Sequence, residues 1–324
     1  MLGSRLTPDA AIAGARPGPR RSVLRARAAR GATPYLLLFP VAAAIGGILG
    51  YPLVDLVRLS FQRYGLFELI RHSGSWVGTA NYSSVLRDGV FWHTLLRTVV
   101  FTAANVGLTM VLGTLLALLL VRVSAWARVV LTAGLVLVWS MPVVVAVQVW
   151  YWMTNFQNGV VNYVLTSLGV GDFFQHDWYA TTFSQLALVT TLIVWGALPF
   201  VAITVYAALA QVPHELVEAA QIDGAGPLRV FRDVTVPVLR PVLLILTSLS
   251  IIWDFGVFTQ PYLLIGQSKI TPGNYLMGIY LFEEGYFRGD YGRGAAIAIL
   301  MLLIVAALSV VYVRRMARMG EEAT

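Results

Sequence analysis

Two places in this chain carry residues whose types and spacing could do chemistry. The first is the polar island at residues 213–237, between two very apolar stretches. Pro213 suits the first turn of a helix, where its missing N–H costs nothing. Glu215 and Glu218 then fall in the early turns, favourably for the helix dipole. Gly224, four positions after Ala220, is a natural C-terminal stop. Pro227 can open a second short helix through Asp233, and Pro237 precludes its simple continuation. Leu216, Ala219 and Ala220 leave a small, smooth apolar patch flanked by the carboxylates of Glu218 and Asp223. Small residues permit close docking, and the acids offer charge to a basic groove. This is the chemistry of a contact between proteins. The second place is Asp254, an acid beside an apolar, membrane-length stretch, where a charge is costly and functional by default. Pairing with an arginine at the membrane surface is the alternative for it.

Bond-making chemistry is not legible. The chain has no cysteine, which excludes disulfides, thiol catalysis and cysteine-ligated metals. His72, His93, His176 and His214 are scattered among loops. No His-Glu-x-x-His and no glycine-rich phosphate loop is present, and Asp and Glu do not cluster within a span. The sequence therefore offers no catalytic residue, no metal site and no means of hydrolysing ATP itself.

The elements that position these residues are set by composition. Only 12% of the 324 residues are charged, against roughly 25% in a soluble domain. The mean hydropathy is +0.73. Such a chain is an all-α integral membrane protein with no polar stretch long enough to enclose its own core. Its net charge of +7 reads as topological bias rather than nucleic-acid binding. Six apolar segments can each cross about 30 Å of hydrocarbon as a helix: 34–59, 98–121, 129–153, 184–210, 238–264 and 294–313. Gly107 and Gly113 could allow close helix approach.

Residues 1–32 are rich in Arg, Ala, Gly and Pro with Asp9 as the one acid, and read as a disordered cytoplasmic tail; an organellar transit peptide is the rival reading. The membrane domain then covers 33–318, with 319–324 as a C-terminal tail. Placing the N-terminal tail inside also puts Arg122, Arg128, Arg229, Arg232, Arg240, Arg314, Arg315 and Arg318 inside, as the arginine bias requires. Both termini are then cytoplasmic, and so is the polar island. The outer segments 62–97, 154–183 and 265–293 are expected to form short amphipathic helices on the outer interface.

The island, with Glu218-Ala219-Ala220, Gly224 and Val234-x-Val236-Pro237, resembles the EAA loop of bacterial ABC importer permeases of the carbohydrate-uptake type. An ordinary interfacial helix would account for Leu216 and Val217, but not for these features falling at the family spacing together. Other segments resemble the same family in the same order. They are Trp76 through Asn81-Tyr82 with Leu96-Arg97-Thr98; Asn158-Gly159 through Asn162-Tyr163; Trp195 through Pro199-Phe200; and Gly289 through Gly292 to Ala296. After the fifth helix the family often shows Thr-x-Gly-Gly-Pro, where this chain reads Leu264-Ile265-Gly266-Gln267-Ser268, a departure at the outer loop.

The resemblance implies a six-helix, type I permease with a MetI-like core in the bacterial plasma membrane, similar to the first, maltose- or glycerol-phosphate-permease-like half. It implies an ATP-driven importer of a sugar or oligosaccharide. Its partners would be a second permease, a dimer of ATP-binding cassette subunits holding ATP and Mg, and an extracytoplasmic binding protein. The coupling residues would be Glu215, Glu218, Ala219, Ala220, Asp223, Gly224 and Pro237. A substrate path between two permease halves would draw on Trp139, Trp150, Trp195, Trp253, Asp254, Thr259, Gln260 and Asn155. Trp150, Tyr151 and Trp152 are also placed where an aromatic belt is expected, and Trp195 where it could pack a helix kinked at Pro199. Another solute, such as glycerol phosphate, and an ion-coupled secondary transporter are the alternatives. The latter should show inverted repeats and charges on several helices, and neither is evident.

Overall fold

The computed structural model describes residues 38–266 and 269–321; the tail at 1–32 lies outside them. Contacts divide the chain into a unit ending at Leu56 and a second, Val57–Thr324. The described part of the first unit is helical, with a π turn at Gly46–Gly50. It carries no charge from Leu38 to Pro52, as a helix apolar on every side requires when its surroundings are apolar.

The membrane-length helices are α1 (Leu38–Ser60), α4 (Gly89–Arg122), α8 (Thr182–Leu209), α10 (Pro227–Phe255) and the part of α13 (Tyr291–Glu321) that runs from Tyr291 to Tyr312. Between them lie β1 (Gln62–Arg63), α2 (Leu66–Arg71), β2 (Ser75–Trp76), α3 (Ala80–Arg87), α5 (Ala125–Ser140), α6 (Val143–Met153), α7 (Val160–Ser167), α9 (His214–Ile222), α11 (Thr259–Ile265) and α12 (Met277–Phe282). The β strands form one small antiparallel pair with Gln62 opposite Trp76.

Three expected spans are corrected. The segment 129–153 is not one helix: α5 and α6 meet at a bend of 101°. Pro142 disfavours helical geometry at Met141, which lies extended at φ −70° and ψ 127°. Nor is 238–264 continuous. The helix stops at Phe255, is capped by Gly256 and restarts at Thr259. Pro261 has no N–H to give the Val257 carbonyl, and a fresh start puts that proline in a first turn, where none is needed. The second span begins at Gly89 rather than 98, because the Asp88 carboxylate caps it through the Val90 N–H at 2.9 Å.

Gly113 provides one of the two expected close approaches. A Cβ there would fall 2.6 Å from Val201 Cγ1, whereas Gly107 faces open space. Around this crossing Ala117, Val201, Val205, Leu239 and Leu246 form one of three buried clusters.

The motif residues of the outer segments are structural ties. Asn81 donates to the Ser60 and Gln62 carbonyls at 2.9 and 2.8 Å. The Gly292 N–H donates to the Tyr64 carbonyl, so the entry to α13 lies against β1. Arg97 donates to the Tyr275 carbonyl, and Thr98 Oγ1 accepts the Met277 N–H. Asn162 donates to the His176 carbonyl and accepts from the Trp178 indole.

A charged knot joins the starts of α4 and α13. Arg293 contacts Asp88 and, at 3.1 Å, Glu284, while Arg288 reaches Glu284 at 2.9 Å. Burial alone would raise the Asp88 carboxyl, but the Val90 N–H, the Tyr280 hydroxyl and Arg293 together hold it below its ordinary value. Burial dominates at Glu284 and pushes it up, and burial also pushes Tyr280 up to about 12, so its hydroxyl stays a donor.

Candidate functional site

The two chain breaks open a cavity of about 310 Å³. Val138, Trp139, Met141, Val143 and Ala146 line it from either side of the elbow at Pro142. Leu192, Ile193, Trp195, Gly196, Ala197 and Phe200 line it from α8. Trp253, Asp254, Val257 and Gln260 line it from either side of the break at Gly256. Broken helices are tolerated at membrane depth where the interrupted backbone faces protein or a polar cavity. Pro199 adds an interruption inside α8, since it cannot donate to the Trp195 carbonyl.

The rings form a connected wall. Trp139 stacks on Phe200 at 6.1 Å and 18°, and Phe200 meets Trp253 at 5.6 Å. Trp150 packs on Trp195 at 6.0 Å, which separates it from the belt residues Tyr151 and Trp152, both exposed. Trp139 and Trp253 remain 59% and 55% exposed, so one side of the wall is uncovered. Asp254 is 8% exposed. It is the one titratable residue in the lining, and its carboxylate makes no hydrogen bond or ion pair among the described residues. The expected alternative, an arginine partner, is absent there.

Trp139, Trp195, Trp253, Asp254 and Gln260 are thus brought together. Thr259 stands next to Gln260 but outside the lining. Asn155 faces a different cavity of about 460 Å³, with Gln148, Tyr151, Asp177, Tyr179 and Lys269. Its carboxamide oxygen accepts the Gln157 and Asn158 N–H groups, a turn-forming role. Phe200 and Gly196 were not singled out by sequence reasoning, although both sit inside the Trp195-to-Phe200 motif. No Cβ neighbour lies within 4 Å at Gly196.

The polar island forms a second, exposed site. Pro213 precedes α9 rather than opening it. Gly224 sits at φ +78°, the Ala225 N–H reaches the Ala220 carbonyl at 2.9 Å, and the Gly224 N–H reaches Gln221. This pair of bonds is a Schellman ending, which fixes the four-residue step from Ala220 to Gly224. Glu215, Glu218, Ala219 and Asp223 are exposed. So are two apolar residues the sequence reading left out, Ile222 at 86% and Leu228 at 79%. Pro237 does not end a helix. A π turn at Phe231–Thr235, with the Val236 N–H bonded to the Phe231 carbonyl, carries the chain into the fifth span. Pro237 then sits early in the resumed α-helical turns, and residues 227–255 are one helix.

The family described as "Binding-protein-dependent transport system inner membrane component" matches residues 109–319. The chain belongs to this family. These membrane permease components include a diacetylchitobiose uptake system permease, DasB, of Streptomyces coelicolor, 45% identical over 92% of both chains. A trehalose/maltose transport permease, MalF, of Thermococcus litoralis is 32% identical, over 86% of this chain and 92% of its own. Among solved structures, a chain of a bacterial ABC transporter involved in import of the acidic polysaccharide alginate superposes with a TM-score of 0.75. It covers 91% of this chain and 99% of its own at 18% identity, so the likeness is one of fold. The permease is therefore a mostly helical, multi-pass membrane protein whose described residues hold five helices long and apolar enough to cross a membrane, or six if the bent pair α5–α6 counts as one.

Proposed function

We propose that this permease carries a sugar or oligosaccharide across the bacterial plasma membrane as one half of an ATP-driven importer. The cavity walled by Trp139, Trp195, Phe200 and Trp253 is the observation that carries the reading. Indole and phenyl faces suit the C–H faces of pyranose rings, while Asp254 and Gln260 offer hydrogen bonds that set orientation. The names of the relatives, which are saccharide permeases, support the substrate class.

The uncovered side of that wall is where a second, similar permease would complete the path. Residues 213–237 would dock on a separate ATPase subunit through Leu216, Ile222 and Leu228, with Glu218 and Asp223 set against basic residues. ATP and Mg would be held by that subunit and not by this chain. Both termini and this loop would lie in the cytoplasm, and an extracytoplasmic binding protein would deliver substrate to the opposite face.

Gentle detergent purification from the native membrane, followed by mass spectrometry of what copurifies, tests the assembly. Recovery of an ATP-binding cassette subunit and a second permease is the expected result. A clean homomer with neither would overturn it in favour of an ion-coupled transporter.

A further inference from the structure

We propose that Asp254 sets a charge filter in this cavity: uncharged and amine-bearing saccharides enter, and anionic ones are refused. The inference rests on the cavity being the saccharide site. Four aromatic side chains and one carboxylate face the space, and no Arg, Lys or His among the described residues does. Asp254 is more than nine-tenths buried and its carboxylate is unpartnered among the described residues, so no cation among them neutralises it. An entering ligand can satisfy it.

Sugar hydroxyls do so as hydrogen-bond donors. An ammonium does so more strongly, because aromatic faces also attract a cation. A uronate keeps its ring hydroxyls, but its carboxylate, like a phosphate group, offers neither a donor nor a positive charge. It would meet an unpaired negative charge and the negative faces of the rings, in a setting where water screens little. The alginate importer shares this fold and takes an acidic polysaccharide, so the fold does not impose the filter. The lining does.

The test uses the full-length chain in the complex recovered from its native membrane, in lipid nanodiscs without the binding protein. Three radiolabelled probes share one linkage and differ in charge: the β-1,4 dimers of glucose, glucosamine and glucuronate. The glucosamine dimer is expected to bind at least as tightly as the glucose dimer, and the glucuronate dimer at least tenfold more weakly. Asp254→Asn keeps the volume and should bring all three within about threefold of one another. Gly196→Leu fills the open space in the lining and should abolish binding of all three.

If Gly196→Leu removes binding but Asp254→Asn leaves the charge order intact, the filter is wrong and the site stands. Binding unaffected by Gly196→Leu shows that the saccharide site is elsewhere and overturns both readings, as does failure of all three dimers to bind. Equal unfolding midpoints for the two variants and the unaltered chain show that folding is not the cause.

Discussion

At the scale of single residues, Arg293 has the largest predicted effect on stability. It faces two carboxylates, Asp88 and Glu284, with side-chain exposures of 20%, 25% and 4% in that order. Replacing it by methionine leaves two acids in a half-dry setting and should cost about 3 kcal/mol at neutral pH. The pH dependence should also change. In the unaltered chain the depressed Asp88 contributes stability above its ordinary value of about 3.9, lost as pH falls through its folded value, while the raised Glu284 contributes stability in acid that is lost as pH rises. In Arg293→Met both acids lose a cation and their folded values move up, so stability at pH 7 falls relative to that at pH 3. Thermal unfolding in detergent from pH 3 to 7 reads both slopes; parallel slopes would refute the change. Gly224 makes a second case. Its φ of +78° costs a side chain about 1–2 kcal/mol, so Gly224→Val should unwind the end of α9 locally and leave the spans folded.

At the scale of elements, the crossing of α4 and α8 depends on the absence of a side chain at Gly113. Gly113→Leu should force the helices apart and lower stability by about 2 kcal/mol, while Gly107→Leu, facing open space, should cost almost nothing. Unfolding midpoints of the two variants decide this, and equal losses would count against the packing. Gly113 illustrates what was legible. Small residues in an apolar run announce close approach, but the run does not say which of two glycines makes it. The breaks were harder to read. Over 129–153 and 238–264 every periodicity is drowned by apolar residues on all sides, so each segment reads as one unbroken span through Pro142 and Gly256. Their tertiary role, opening the cavity at both breaks, is set by neighbours distant in sequence. Asp254 and the tryptophans were legible because each is unusual where it stands. Phe200 and Gly196 were not, because each is ordinary there.

At the scale of the whole molecule, the polar island and the cavity belong to one transport cycle under the proposed function. Glu218→Lys should abolish uptake and association with the ATPase while leaving membrane insertion intact, and Gly224→Val should do the same. Uptake assays with affinity capture of the ATPase check this; normal uptake in either variant would remove the coupling role. Several residues of the motifs, among them Asn81, Arg97 and Gly292, tie the outer segments to the spans and touch neither site. The order of motifs therefore made the architecture readable, and the two sites had to be assembled from geometry.

Because Pro237 is absorbed by a π turn, Leu228 and Asp254 stand on the same helix, Pro227–Phe255. At 1.5 Å per residue the arm between them is about 39 Å. A tilt of about 10° moves one end relative to the other by about 7 Å. Under the proposed function the exposed loop and the buried acid would be the handle and the jaw of one lever, and leverage across the membrane would require no relay of side chains.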